Sequence, residues 1–277
     1  MLAALIIVFR EVLEAGLIVG VVLAASRGVP GAGRAVALGI LAGLAGSALV
    51  ALFAAEISDA FSGRGQEIFV ASVLLLAVVM LAWHVIWMAQ HAREMTTRLR
   101  ELGHAVTLGE QSVFVLGVAV AAAVMREGSE VVLFLTGIAM QGGTQAATLA
   151  IGSAGGLALG AAVSAAVYLG LAAIPIRRVF AVTGALLTLL AAGLAAEAMR
   201  QLSNAGVINF WDRALWDTSW IVGEDSWAGR VLHVLTGYID RPNGVELIAY
   251  LLTAGGIFLL ASWTRQARVD TASGSRG

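Results

Sequence analysis

Two apolar stretches of this chain, each long enough to cross a lipid bilayer, carry the same charged pattern, Arg-Glu-x-x-Glu. The first copy is Arg10-Glu11-Val12-Leu13-Glu14, inside Leu2 to Ala25; the second is Arg126-Glu127-Gly128-Ser129-Glu130, inside Ser112 to Met140. An ionised side chain at the centre of a bilayer costs about 3 kcal/mol on insertion scales. Such groups persist only where they pair with one another, face water or bind something. On a helix, residues three and four apart share a face, so each motif sets one guanidinium and two carboxylates on one stripe. Together the motifs hold four carboxylates against two guanidiniums. That surplus of negative charge suits a cation.

Composition agrees with a membrane setting. Of 277 residues, 59% are hydrophobic and only 13% charged, with a mean hydropathy of +0.89, whereas soluble domains sit nearer half apolar and a quarter charged. The absence of cysteine excludes disulfides, thiolate metal sites and iron–sulfur clusters. A net charge of −1 leaves no nucleic-acid footprint. Every basic residue is arginine, so no lysine is present to complete a phosphate-binding Gly-x-x-x-x-Gly-Lys loop. The first segment lacks a basic leader, and Arg10, Glu11 and Glu14 interrupt what would be the apolar core of a signal peptide. It is read as part of the mature protein.

A span needs about 20 apolar residues. Runs of that length predict an all-α integral membrane protein of about seven transmembrane helices: Leu2–Ala25, Ala35–Ala55, Ile68–Ala89, Ser112–Met140, Thr148–Leu169, Val179–Leu202 and Val245–Trp263. Glycines concentrate in the second and fifth, where small residues let helices approach closely in lipid. The connections after the first, third and fifth spans, with the C-terminal tail, hold Arg27, Arg34, Arg93, Arg98, Arg100, Arg177, Arg178, Arg265, Arg268 and Arg276; those after the second and fourth hold only Arg64. The excess of arginine on cytoplasmic connections predicts an external N-terminus and a cytoplasmic C-terminus. The first and fourth spans then run in opposite directions. Spans one to three and four to six read as a 3+3 inverted repeat with a seventh helix appended, an arrangement that sets substrate sites near the midplane. The expected organisation is one permease domain over 1–265, with repeats at 1–90 and 112–202, an external amphipathic segment at 203–244 and a last helix at 245–263. Residues 266–277 are expected to form a disordered cytoplasmic tail. The tryptophans of the external segment (Trp211, Trp216, Trp220, Trp227) suit one or two short amphipathic helices lying on the outer surface, with Asp217-Thr218-Ser219 as a helix start.

The paired motifs on the first and fourth of seven spans resemble the iron permease family, which includes fungal permeases that work with a multicopper oxidase and bacterial Efe-type permeases. A second region agrees: Leu215-Trp216-Asp217-Thr218-Ser219, Glu224-Asp225-Ser226 and Gly237-Tyr238-Ile239-Asp240-Arg241-Pro242 look like the bacterial branch's external segment. The resemblance runs to about Ala267. Val12 stands where the family usually has glycine, whereas Gly128 keeps the pattern. The resemblance implies high-affinity uptake of Fe(III) or Fe(II) across the bacterial cytoplasmic (inner) membrane, with Glu11, Glu14, Glu127 and Glu130 binding the ion. Arg10 and Arg126 would hold those carboxylates apart and charged. It implies iron as transported substrate with no tightly bound cofactor, no enzyme activity, and partners of the periplasmic iron-binding, peroxidase or oxidase kind, in a chain that can form homo-oligomers. Oxygen ligands suit hard cations but do not separate the two iron states.

Other readings stand beside this one. The same carboxylates would serve a carrier of another divalent cation, manganese or lead, or a proton-coupled carrier. His84, mid-span, would serve as a haem ligand in an intramembrane oxidoreductase subunit, as a proton relay, or in a plain interhelical hydrogen bond. The motifs themselves would, in a purely structural subunit, be self-neutralised ion pairs that pin helices. Glu197, with Arg200 at i+3, reads as an interfacial ion pair or an entry-pathway carboxylate. Glu56, Asp59 and Glu67 frame the second connection, as cation collectors at a mouth or as ordinary solvated charges.

Overall fold

Long runs of Ala, Leu, Val and Gly in lipid leave the backbone no partner but itself, and the helix satisfies it within each segment. The computed structural model is accordingly helical, with α1 Leu2–Ala25, α2 Ala32–Ala60, α3 Gln66–Thr107, α4 Val113–Met140, α5 Ala146–Tyr168, α6 Ile176–Asn204, α7 Trp227–Thr236 and α8 Gly244–Gly274. It describes the backbone of residues 1–60, 66–140, 145–170, 176–211, 213–224 and 226–274, and the side chains of a somewhat smaller set. Glu56 and Asp59 fall outside the described side chains, as does Arg64. Among the described residues there is no β-strand, only an isolated bridge between Ala214 and Asn243. Five helices, α2, α3, α5, α6 and α8, contain a stretch long and apolar enough to cross a membrane. Helices α1 and α4 have the length but each carries three charged side chains, those of the two motifs. The chain is an all-α integral membrane protein.

Two helices outrun the expected spans. Beyond the apolar part of α3, the stretch to Thr107 is rich in good helix formers and carries a Glu94–Arg98 pair at i,i+4 with a 2.6 Å contact, so the connection expected after Ala89 is helical instead. Helix α8 likewise continues to Gly274, through residues 266–274 where a disordered tail was expected; Arg265, Gln266, Ala267 and Arg268 favour helix once the membrane span has nucleated it.

The residues form two compact units. One holds Met1, Ala3–Ala60 and Ala92–Arg178; the other holds Leu2, Phe61–His91 and Val179–Gly277. In the first, α1 turns into α2 through a short connection in which Gly28 and Gly31 take the left-handed backbone (φ 90° and 86°) that side chains resist. The connection is too short to span a helix length, so α1 and α2 are antiparallel. Helices α2 and α4 pack with numbering rising together, Gly39 on Gly117, Gly43 on Ala121 and Val124, and Gly46 on Met125. They are therefore parallel, and α1 and α4 run in opposite directions. Val22, Val36, Val106, Leu116, Val120 and Val124 form an apolar core at one end of this unit.

In the second unit the segment before α8 is mostly turns. Asp217 Oδ1 accepts from the Ser219 N–H at 2.9 Å and from its hydroxyl at 2.6 Å, closing a local turn in which Thr218 pairs with the Asp240 carbonyl. Those hydrogen bonds, with Arg241, hold the Asp217 carboxyl below its ordinary range. The expected helix start at Asp217-Thr218-Ser219 is thus a turn. The short helix begins at Trp227 instead, capped by Ser226, whose hydroxyl accepts from the Gly229 N–H at 2.9 Å. Its C-terminus is closed by Gly237 at φ 68°.

Candidate metal centre

Helical spacing alone puts each arginine against its own glutamates. On α1, Arg10 Nε lies 2.9 Å from Glu14 Oε1 and Nη1 lies 3.7 Å from Glu11 Oε1. On α4, Arg126 Nε donates to Glu130 Oε1 at 3.2 Å and stands 3.9 Å from Glu127 Oε1. The i,i+4 contacts are the closer ones, as the direction of side chains on a helix requires.

Tertiary packing then brings the two motifs together. Glu11, Glu127 and Glu130 each offer a carboxylate oxygen, and these oxygens lie within 4.8 Å of one another. Glu11 is 1% exposed and Glu127 3%, and Glu127 Oε2 has no hydrogen-bond partner among the described residues. Buried acceptors of like charge, held this close, call for a proton or a cation between them. Hard oxygen donors without sulfur suit a hard or borderline cation. Glu14 is also buried, turned onto Arg10. Of the sequence-predicted residues, then, three glutamates converge directly and the fourth lies one helical turn away on the same stripe.

Of the remaining candidates, His84 and Glu67 belong to α3 and Glu197 to α6. His84 is a buried residue of α3 in the second unit. Glu67 is an exposed residue of the first turn of α3. Glu197, in α6, is buried and tied: Arg200 Nη1 is 3.5 Å from its Oε2, and Gln201 Nε2 donates to its Oε1 at 2.8 Å. A residue that sequence reading passed over completes this group. Glu246 lies 3.3 Å from Arg200 Nε; it is 4% exposed at the start of α8. Its N–H donates to Asn243 Oδ1 at 2.8 Å, and its Oε2 accepts from the Asn243 N–H at 3.2 Å, a reciprocal capping box. The Asn-x-x-Glu spacing at the start of the last span was the available signal. Nearby, His233 Nδ1 lies 3.2 Å from Glu224 Oε1 and 2.8 Å from the Tyr238 carbonyl.

Comparison with known proteins covers nearly the whole chain. The profile of the Iron permease FTR1 family matches residues 1–267. The chain is 30% identical, over 266 residues, to the ferrous iron permease EfeU of Escherichia coli O6:H1 (strain CFT073), covering 94% of this chain and 96% of the relative. It is 29% identical, over 255 residues, to the ferrous iron permease EfeU of Yersinia pestis, covering 91% and 90%. No solved structure matches.

Proposed function

Because this chain belongs to the Iron permease FTR1 family, we propose that it is an iron-uptake permease of the bacterial inner membrane in which Glu11, Glu14, Glu127 and Glu130 carry the ion. The observation that supports this most directly is the approach of carboxylate oxygens from α1 and α4 to within 4.8 Å in a cysteine-free chain. Fe(II) is the form we assign, since the EfeU relatives are named as ferrous iron permeases and an all-oxygen site accepts that ion. In the expected orientation, with the N-terminus outside, iron enters from the side of the external segment and leaves toward the arginine-rich connections.

Arg10 and Arg126 act as resident counter-ions. Between ion arrivals each holds its own helix's carboxylates charged and aimed, and on arrival the ion replaces the guanidinium as the partner of Glu11, Glu127 and Glu130. Inverted repeats of the two motif helices would let one rigid-body movement change the side on which the site opens. The external segment, with Trp220, Ile221 and Trp216 exposed, is offered as a lid or as the seat of an iron-delivering partner.

Radio-iron uptake into vesicles containing only this chain tests the reading, with ascorbate present and absent. Uptake should require the reductant and be lost in Glu14→Ala and Glu130→Ala at equal membrane abundance. Normal uptake in both variants would remove the site assignment. Faster uptake of oxidised, chelated iron would reverse the choice of Fe(II).

A further inference from the structure

In the first unit each motif helix leans on a glycine-bearing helix, and the two contacts follow one ladder. On α4 and α2, Gly117 meets Gly39, Ala121 and Val124 meet Gly43, and Gly128 meets Ser47. On α1 and α5, Met1 meets Gly152, Leu5 and Val8 meet Gly156, and Val12 meets Gly160. The register is the same throughout: Met1, Leu5, Val8 and Val12 stand to Gly152, Gly156 and Gly160 as Gly117, Ala121, Val124 and Gly128 stand to Gly39, Gly43 and Ser47. The last rung lies inside the motif, one residue after Glu11 on α1 and one after Glu127 on α4.

At that rung the small residue has changed helices. On α1 the motif carries Val12 and the facing helix carries glycine; a Cβ built at Gly160 would stand 2.9 Å from the Phe9 carbonyl oxygen and 2.9 Å from Val12 Cβ. On α4 the motif carries glycine and the facing helix carries serine; a Cβ built at Gly128 would overlap Ser47 Oγ and come within 2.8 Å of Ser47 Cβ. Real Cβ atoms essentially never approach within 3.0 Å. Each rung therefore has room for one side chain, whichever helix supplies it. Ser47 fills its rung and also donates to the Gly43 carbonyl at 3.0 Å and, across the interface, to the Met125 carbonyl at 3.3 Å.

We infer that Gly160 and Ser47 are positioning residues for the two motifs, and that Gly160 makes good the missing glycine at Val12. Their role is to fix how closely α5 and α2 hold the backbones that aim Glu11 and Glu127. Metal–ligand distances are held to within about 0.2 Å, so a second side chain in either rung pushes a carboxylate out of range. The inference rests on the reading of the motif carboxylates as the iron site.

Exchange of partners tests it. Gly128→Val and Gly160→Ser, each placing two side chains in one rung, should lower iron uptake about tenfold or more and raise the half-saturating iron concentration, as small displacements at reacting sites do. Ser47→Gly added to the first, and Val12→Gly added to the second, return one side chain to each rung. Uptake and half-saturation should then come back to within about threefold of the parent, a strong departure from additivity. Spacing itself is read apart from transport. An ideal Cβ at Gly46 lies 3.7 Å from Met125 Cβ, the separation of a disulfide, and the chain has no cysteine of its own. Gly46→Cys with Met125→Cys should cross-link readily, more slowly with Gly128→Val added, and readily again with Ser47→Gly. Double variants no more active than the single ones, or Gly128→Val transporting and cross-linking like the parent, would overturn the positioning roles. Failure of the iron reading would look different: the parent and Glu14→Ala would take up iron alike.

Discussion

The two Arg-Glu-x-x-Glu motifs have the same internal geometry and different surroundings. On α1 the Arg10 and Glu14 side chains are 3% and 1% exposed; on α4 the Arg126 and Glu130 side chains are 32% and 13% exposed. The i,i+4 contact survives in both, lengthening from 2.9 Å to 3.2 Å. The first motif is therefore an ion pair closed off from its surroundings. The second has an arginine whose side chain is about one-third open to its surroundings. Local sequence fixes which groups pair, and the packing around them fixes how much the pairing is worth. A pair buried on all sides is poorly replaced by solvent, while a partly exposed one is screened.

The largest expected effects treat the motifs as one site. Loss of one of the carboxylates proposed to hold the ion, in Glu11→Ala, Glu127→Ala or Glu130→Ala, should reduce iron uptake about 100-fold or more, since even outer-shell partners of a metal are worth 10–100-fold. Uptake rates at matched membrane abundance give the answer. A motif whose glutamates prove dispensable would make the comparison one between a transport site and a structural pin.

The arginines sharpen the contrast. Arg10→Ala removes a buried guanidinium from beside Glu11 and Glu14 and should cost about 3–5 kcal/mol of stability, the usual range for breaking a buried pair. Arg126→Ala, with its partner partly exposed, should cost clearly less after allowance for screening. Thermal unfolding in detergent measures both, and equal losses would show that the difference in exposure has no energetic meaning. Arg→Lys at either position should keep only part of the parent's uptake, because lysine lacks the planar fork.

Accessibility comes next. In this cysteine-free chain, Arg126→Cys should react with a water-soluble thiol reagent faster than Arg10→Cys, because the thiolate forms only where water reaches. Equal protection of the two would mean that the opening at α4 faces lipid.

The smallest effect is expected in the second unit. Glu246→Ala removes half of the capping box and one partner of Arg200, and should cost about 1 kcal/mol of stability. Glu197→Gln should leave uptake near the parent level, because Glu197 is already held by Arg200 and Gln201. A fall as deep as that of Glu130→Ala would instead make Glu197 part of the ion's route.

Much of the fold was legible because lipid leaves few choices. Apolar run lengths located the long helices to within a turn or two at most ends, and charges inside two of them marked the proposed site. The misses have physical causes. The continuation of α3 past Ala89 depends on helix propensity and the Glu94–Arg98 pair, which a hydropathy reading ignores. Asp217-Thr218-Ser219 has the residue types of a helix cap, but its side chains are spent on its own turn and on Arg241. Glu246 was overlooked because its value lies in Arg200, 46 positions away.

By itself the sequence determined the membrane class, the family, the two charged stripes and the pairing of each arginine within its own helix, because lipid burial and helical periodicity are local constraints. Only the tertiary structure decided that Glu11 meets Glu127 and Glu130, that Gly160 stands opposite Val12, and that one motif is closed while the other is open. Periodicity says which residues share a face. It does not say which helix lies across from that face; that is settled by close packing between residues far apart in the chain, where one side chain too many keeps two backbones apart.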